Sequence, residues 1–146
     1  MGGIVPKFVS GPVTYEVVET IVGGLMVEAR AGSKVGVAAA GSLVCLGVAT
    51  TDGQVANPGP TTDAFGNTVY SQVNVDQYVA VGGSGAIYPV TYSADCAFGQ
   101  ALVCTAAGKV GPAGAAPDAR TVVGQCREPG GVVVATKPIG LAKITV

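Results

Sequence analysis

The frequency and spacing of valine and glycine constrain the fold of this chain more than any other feature of its sequence. Its 146 residues include 26 valines and 23 glycines. Valine has a stiff first side-chain torsion and favours β-strands, whereas glycine allows turns and β-bulges. No long stretch has the apolar spacing of an amphipathic helix. We therefore predict an all-β fold: a single compact barrel-like or sandwich-like domain of short strands at 13–146, with an extended N-terminal arm at 1–12.

The chain is apolar and carries few charges. Its mean hydropathy is +0.51, 12% of its residues are charged and its net charge is −1. Soluble surfaces usually carry about 25–35% charged residues, so we expect other protein chains to cover part of this surface. Nucleic-acid binding is not expected, because it requires grouped lysines and arginines. The uncharged stretches contain glycine and serine and are too short for a membrane span, so no membrane segment is predicted.

Residues 1–12 form the predicted arm. Its apolar side chains cannot build a core of their own, and Pro6 and Pro12 favour an extended path. We expect the arm to lie on a neighbouring chain, and a disordered arm is the alternative. The contact residues expected there are Ile4, Val5, Phe8 and Val9. The arm lacks the charged start and apolar centre of a signal peptide, so the cytoplasm is the expected site of synthesis.

Residues 13–30 have the pattern of a β-hairpin. Two apolar stretches flank Gly23-Gly24, which suits a two-residue turn with positive φ. In that register Glu19 faces Glu28, an unfavourable pair that Arg30 on the diagonal would offset.

A segment of strand–turn–strand character occurs twice, at 32–49 and 99–126. The first ten residues of each copy match without a gap, 67 positions apart, with glycine on glycine at both ends. Each copy then continues into a strand with an apolar residue before a glycine, Leu46-Gly47 in the first and Val123-Gly124 in the second. We interpret the match as an internal repeat, although segments rich in glycine and alanine also match by chance.

The four cysteines are expected to be buried thiols. They lack the Cys-x-x-Cys spacing and the histidine partners of a zinc site, so no metal site is predicted. Two disulfides, in any of three connectivities, are the alternative, but cytoplasmic synthesis favours reduced thiols. In the repeat Cys104 corresponds to Val37, which favours packing over reactivity. The cysteines are Cys45, Cys96, Cys104 and Cys126.

No catalytic site is predicted. The chain contains no histidine, which removes the commonest general base and the Ser-His and Cys-His nucleophile pairs. Scattered acids on a β protein of low charge are mostly solvated, and a glycan-hydrolase cleft would also need aromatic residues. We therefore expect a protein that is not an enzyme and that binds no cofactor. The carboxylates weighed as an acid–base pair are Glu16, Glu19, Glu28, Asp52 and Asp63.

The longest irregular segment runs from Thr50 to Asn67. Its turn signals are Asn57-Pro-Gly-Pro60 and Asp63-Ala-Phe-Gly-Asn67. Loops of this length without regular structure are often functional. Phe65 at the tip is the expected contact residue.

A series of short motifs resembles a known protein family over residues 13–146. A Gly-Gly turn leads into a strand, an Ala-Gly-Ser turn and another strand, and further motifs follow later in the chain. These motifs are Leu25-Met-Val-Glu-Ala29, Ala31-Gly-Ser33, Leu43-Val-Cys-Leu-Gly-Val-Ala49, Phe98-Gly-Gln-Ala-Leu-Val103, Ala107-Gly-Lys-Val110 and Val122-Val-Gly124. Their order resembles the small capsid decoration proteins of tailed bacteriophages, also called head-stabilising or cement proteins. The long loop at 50–67 and the four cysteines depart from that pattern.

The resemblance implies a compact β domain, often a homotrimer, that binds the outside of an expanded icosahedral head. The implied partners are the major capsid protein and further copies of the chain. The implied location is the outer capsid surface of the virion, after synthesis in the host cytoplasm, with the arm running along the capsid shell. The alternative is another virion or surface module, such as a tail, fibre-base or adhesion domain, that binds through the 50–67 loop.

Overall fold

The computed structural model describes residues 11–55, 60–69 and 76–146, which form short strands joined by turns. The predicted all-β fold is confirmed. The helical segments in these ranges are three-residue 3-10 turns, and none is long or apolar enough to cross a membrane. The strands are β1 (Val13–Val17), β2 (Met26–Arg30), β3 (Lys34–Val37), β4 (Cys45–Ala49), β5 (Thr61–Thr62), β6 (Thr68–Val69), β7 (Tyr78–Gly82), β8 (Ile87–Thr91), β9 (Ala101–Cys104), β10 (Val110–Pro112), β11 (Val122–Cys126) and β12 (Ile139–Ile144).

The first barrel is a closed sheet of five strands in the order β1-β3-β2-β4-β7. β1 and β3 are parallel, and the other neighbouring strands are antiparallel. Closure removes the unpaired edges that an open sheet would expose. The interior is filled mainly by valine, which packs well on a pleated surface. Its buried residues are Val17, Ile21, Val27, Val35, Ala49, Val79 and Val81.

The strands β8 to β12 form a five-stranded sheet in the order β10-β9-β11-β12-β8. We call it the second barrel because a single bridge closes it. All neighbouring strands in this sheet are antiparallel. A parallel bridge between Tyr92, just after β8, and Val110, at the start of β10, joins its two edges. Tyr92 is fully buried, and its hydroxyl donates a hydrogen bond of 3.1 Å to the carbonyl of Leu141. A buried hydroxyl needs such a partner to offset its desolvation.

The second barrel repeats the topology of the first. In the first barrel Val17 pairs with Val35 where the parallel strands β1 and β3 meet. In the second barrel the parallel bridge joins Tyr92 and Val110, each 75 positions after its counterpart. β2 then corresponds to β9, β4 to β11 and β7 to β12, with the same neighbours in both sheets. The chain is therefore built from two tandem copies of one five-stranded unit.

The turns that lead into β2 and β9 are equivalent, and their glycines Gly24 and Gly99 are also 75 positions apart. The N–H of Gly24 donates to the carbonyl of Ala49 at 2.7 Å, and the N–H of Gly99 donates to the carbonyl of Cys126 at 2.9 Å. Gly24 and Gly99 have φ angles of +88° and +81°. Glycine adopts this left-handed conformation without the steric penalty of a side chain.

Each barrel also has a β-bulge beside a glycine. The pairing of β2 with β4 shifts next to Gly47, and the pairing of β9 with β11 shifts next to Gly124. A Cβ atom on Gly47 would collide with the carbonyl oxygen of Gly82, and one on Gly124 with that of Lys143. Both glycines thus permit the close approach of a neighbouring backbone.

The two barrels share part of their cores. Met26 and Val48 are fully buried and belong to the apolar cluster that includes the interior of the second barrel. Their chain neighbours Val27 and Ala49 belong to the interior of the first. Because successive side chains of a strand point to opposite faces, β2 and β4 are buried on both sides.

The predicted hairpin at 13–30 is wrong. β3 lies between β1 and β2, so these two strands are not neighbours. A two-residue turn signal carries no information on the parallel contact with β3, and that distant pairing decides the position of β1. Arg30 contacts both acids in the observed arrangement: its Nη2 lies 3.0 Å from Glu28 Oε1 and 3.9 Å from Glu19 Oε1.

The internal repeat occurs at a register that differs from the predicted one. The segment 32–41 holds the end of a 3-10 turn followed by β3, whereas 99–108 holds β9 followed by a 3-10 turn. β2 and β9, like β3 and β10, superpose at 75 positions, so Cys104 corresponds to Ala29 and not to Val37. The Leu46-Gly47 and Val123-Gly124 steps do occupy equivalent positions, at the two bulges.

Candidate interaction surface

Residues 60–69 contain a small hairpin, in which β5 and β6 form a sheet of their own. The carboxylate of Asp63 accepts hydrogen bonds from the N–H groups of Phe65 and Asn67, both at 2.9 Å. Hydrogen bonds from the backbone and side chain of Asn67 hold the pKa of Asp63 below its ordinary value. Gly66 completes the turn with a φ of +82°. The sequence therefore builds a defined turn at the tip of the hairpin.

The turn presents Phe65 to solvent. Its side chain is 90% exposed. Removing a phenylalanine side chain from water is worth about 1.5–3 kcal/mol. A turn that is already hydrogen-bonded loses little further backbone freedom on binding. Phe65 thus lies at an exposed tip, as expected from the sequence, and its role as a contact residue stays a prediction.

The second barrel lacks an equivalent hairpin among its described residues. β4 and β7 are joined by residues 50–77, whereas the equivalent strands β11 and β12 are joined by the shorter segment 127–138. Both connections begin at an equivalent antiparallel bridge, Ile21–Gly53 in the first barrel and Cys96–Val132 in the second. The hairpin is therefore an addition to the common unit.

The outer surface of β8 and β12 forms a second exposed apolar area, called here the apolar face. Pro89 pairs with Leu141, so their side chains point to the same side of the sheet. Ile87 and Ile139 lie two positions away on the same side and are 54% and 49% exposed. The strand partners of Ile87 and Ile139 on this side, Lys143 and Thr91, are polar and border the apolar residues. An apolar area with a polar rim is typical of protein interfaces. The apolar face consists of Ile87, Pro89, Ile139 and Leu141.

The corresponding surface of the first barrel is more polar. Pairing of β1 with β7 and of β8 with β12 matches Tyr78 to Ile139, Ala80 to Leu141 and Thr14 to Pro89. Tyr78 is 53% exposed, close to the exposure of Ile139, but it carries a hydroxyl group. Sequence reasoning missed the apolar face, although the alternation of apolar residues in β12 was a signal for it.

A groove of about 530 Å³ lies between the two barrels beside the apolar face. It is lined by Pro12, Gly23, Gly24, Tyr88, Pro89 and Ile139, among others. Pro12, the last residue of the predicted arm, is among the residues that line this groove. The predicted arm contacts Ile4, Val5, Phe8 and Val9 lie outside the described residues.

The buried carboxylate of Glu28 has a structural environment. It accepts a hydrogen bond of 3.0 Å from the N–H of Ala39, and Arg30 lies 3.0 Å away. Burial raises the pKa of Glu28, but the hydrogen bonds from Ser42 and Ala39 and the charge of Arg30 outweigh burial and lower it. The other carboxylate of note, Asp52, accepts a 2.7 Å hydrogen bond from the N–H of Gly23.

The thiols lie in two groups. Cys45 is partly exposed and faces Cys104, whereas Cys96 and Cys126 are buried in the second barrel. All four are free thiols. Across the ranges 11–55, 60–69 and 76–146, no three His, Cys, Asp or Glu side chains are grouped closely enough to hold a metal ion.

Comparison with known proteins finds a similarity at the level of the fold. No protein-family model matches the chain, and no curated protein matches it. The chain is similar to the crystal structure of the head fiber gp8.5 N base in bacteriophage phi29, with a TM-score of 0.59 and 16% sequence identity. The similarity covers 91% of this chain and 92% of that chain. Neither barrel alone accounts for so much of the chain, so the likeness spans both barrels and shows that the whole fold is shared.

Proposed function

We propose that this chain is a structural protein of a phage virion that binds the outside of the capsid and stabilises the expanded head as a homotrimer. The observation that carries the proposal is the likeness to a head-fibre base over both barrels. The motifs that resemble capsid decoration proteins support the same class of role. The low charge and the exposed apolar residues also fit a protein whose surface is covered by partners.

In this proposal the hairpin and the arm contact the major capsid protein. Phe65 supplies an aromatic anchor on a preformed turn, which is the kind of residue that dominates binding energy at interfaces. The arm supplies Ile4, Val5, Phe8 and Val9, and an extended segment of this kind can add to an exposed sheet edge of the shell. A trimer carries three such sets, so the first contact raises the effective concentration of the others.

The apolar face is assigned to contacts between copies of the chain. Interfaces between identical subunits are more apolar than the remaining protein surface. Ile139 and Leu141 meet that description, whereas the matching surface of the first barrel carries Tyr78. A heterologous contact, in which the apolar face of one copy packs on a different surface of the next copy, closes into a ring when the rotation is right.

A fibre-base or tail module is the second candidate function. The similar solved structure is named as the base of a head fibre, which favours a role in holding another virion component. The hairpin at 60–69 would then bind that component, not the shell. Immuno-electron microscopy separates the two candidates, because label on tails, or at the bases of fibres on the head, favours the second, and label spread over the whole head favours the first.

Binding to heads tests the proposal directly. Heads of the encoding phage that lack the protein are mixed with purified protein, sedimented and heated. We expect the protein to sediment with the heads and to raise the temperature at which they rupture. Protein that stays in the supernatant at all concentrations, with heads that rupture at an unchanged temperature, would contradict the proposal.

The contribution of the hairpin is tested by Phe65→Ser. This variant should remain folded and bind heads at least tenfold more weakly, because burial of one aromatic side chain is worth about 1.5–3 kcal/mol. Phe98→Ser is the matched control: Phe98 is an exposed aromatic residue of the second barrel, with Arg127 located 5.8 Å from its ring centre. An equal loss of head binding in both variants would contradict the specific role of Phe65.

A further inference from the structure

Two thiols from different barrels lie in contact. Cys45 Sγ in β4 lies 3.6 Å from Cys104 Sγ in β9. The two residues are 59 positions apart in the chain. The contact lies where the barrels also exchange a backbone hydrogen bond, from the N–H of Gly41 to the carbonyl of Cys104 at 3.0 Å. Each thiol is therefore held in place by its own strand and by the contact between barrels.

The two thiols differ in access to solvent. Cys45 is partly exposed, whereas Cys104 is 2% exposed. The hydrogen bond with the Cys104 thiol lowers the pKa of Cys45 against the opposing effect of burial. The same hydrogen bond, together with burial, raises the pKa of Cys104. Cys45 is thus the thiol that a soluble reagent reaches first and the one that more readily becomes the reactive thiolate.

We propose that Cys45 and Cys104 are a modification site, a dithiol that a small disulfide oxidises to a covalent bond between the two barrels. The Cys45 thiolate attacks one sulfur of the small disulfide, forms a mixed disulfide and releases one thiol. Cys104 then attacks the Cys45 sulfur and releases the second thiol. The protein loses two electrons and two protons, which leave on the two released thiols.

Little movement is required for this bond. A disulfide has a sulfur–sulfur distance of about 2.05 Å, so the two sulfur atoms must approach each other by about 1.5 Å from their contact distance. Rotation of the side chain of Cys45, which is not fully enclosed, supplies motion on this scale. The bond would close a long loop that includes β7 and β8 and would restrict the unfolded chain accordingly.

The second thiol group provides an internal comparison. Cys96 and Cys126 are 5% and 0% exposed within the second barrel. Burial, followed by the neighbouring Cys126 thiol, raises the pKa of Cys96 to about 12. A reagent in solution reaches neither residue while the protein is folded. Oxidation of the native protein should therefore be confined to Cys45 and Cys104.

The site goes beyond the proposed function and has a consequence for it. A virion component is made in a reducing cytoplasm and then released to an oxidising medium, where disulfides persist. The barrels would be linked after release. The following test uses the free protein, so its outcome does not depend on whether the protein binds heads.

The test is oxidation of the native, reduced protein with oxidised glutathione at about pH 8, followed by intact mass and peptide mapping. We expect the loss of two hydrogen atoms, a single Cys45–Cys104 link and a thermal midpoint raised by about 5 °C that reverts with a reductant. Cys104→Ser should retain one glutathione on Cys45. The Cys96→Ser/Cys126→Ser variant should form the link as the wild type does.

Three results would overturn the site. These are no mass change in the native protein, a link that includes Cys96 or Cys126, and a link that forms only in denaturant. If Cys104→Ser does not fold, the rate of alkylation of each cysteine in the reduced wild type tests the site instead. Cys45 should then react at least tenfold faster than Cys96 and Cys126, and equal rates would contradict the proposal.

Discussion

The two barrels have the same strand order and the same turns, but they differ in one connection and in one outer surface. The parallel closure, the left-handed glycines before β2 and β9, and the bulges at Gly47 and Gly124 occur in both. The first barrel adds the hairpin at 60–69, and the second adds the apolar face. The shared features close a five-stranded sheet, whereas the features that differ are the ones to which we assign binding partners in the proposed function.

The largest expected effect tests the equivalence of the two bulges. Gly47→Ala and Gly124→Ala each place a Cβ atom against a carbonyl oxygen of a neighbouring strand, and Gly47 also has a φ of +147°. Each substitution should lower the free energy of unfolding by about 3 kcal/mol. Chemical denaturation measures the loss. Gly114→Ala is the control, because that glycine has open space around it, and its change should stay below about 0.5 kcal/mol.

A lower free energy of unfolding in Gly47→Ala but not in Gly124→Ala would contradict the equivalence of the two bulges. The two barrels would then tolerate their bulges for different reasons. Equal losses would support one structural unit used twice.

The next effect concerns a charge found in one barrel. Glu28 is buried in the first barrel, and pairing places Val103 at the equivalent position of the second. The pKa of Glu28 is lowered, so its contribution to stability is fully present above its unfolded value near 4.5 and is lost as the pH falls through the folded value. Glu28→Gln should reduce the free energy of unfolding by about 1–2 kcal/mol at pH 7.

Denaturation between pH 7 and pH 3 measures that loss. The difference between wild type and Glu28→Gln should shrink as the pH falls below about 4.5. Glu16→Gln, at the half-exposed pair of Glu16 with Lys34, is the control and should change stability by less than about 0.5 kcal/mol. A difference that does not vary with pH would show that the charge of Glu28 is not the cause.

The smallest effect on stability separates the two outer surfaces. Ile139→Asp and Tyr78→Asp change equivalent, half-exposed positions, and each should alter the free energy of unfolding by less than about 0.5 kcal/mol. Ile139→Asp should nevertheless convert the proposed trimer to a monomer, because it would place a charge in the proposed apolar contact. Light scattering measures the mass. A wild-type monomer, or a trimer in both variants, would contradict the role of the apolar face.

The fold class followed directly from the valine and glycine content, because strands and turns are local structures. The repeat was detected but at the wrong register. The true and predicted displacements, 75 and 67 positions, differ by an even number, and side chains of a strand alternate with period two. Buried positions such as Val35 and Leu102 therefore fall on buried positions in either register, and the pattern of burial could not distinguish them.

The contact between the barrels could not be predicted from the sequence. Met26 and Val48 alternate with Val27 and Ala49, and a strand buried on both faces resembles any other apolar run. The contact of Cys45 with Cys104 depends on how the barrels pack, and no spacing in the sequence encodes that arrangement. Phe65 was accessible to sequence reasoning, because the Asp-x-Phe-Gly-Asn turn is a local signal.

Cryo-electron microscopy of heads incubated with the protein tests the central claim most directly, since it locates the regions in which the barrels differ. We expect added density on the outside of the head, with three copies around an axis. The Phe65 hairpin should touch the shell, and the apolar faces of β8 and β12 should lie between copies. Heads without added density, or bound copies with the Phe65 hairpin and the apolar face both in solvent, would contradict the central claim.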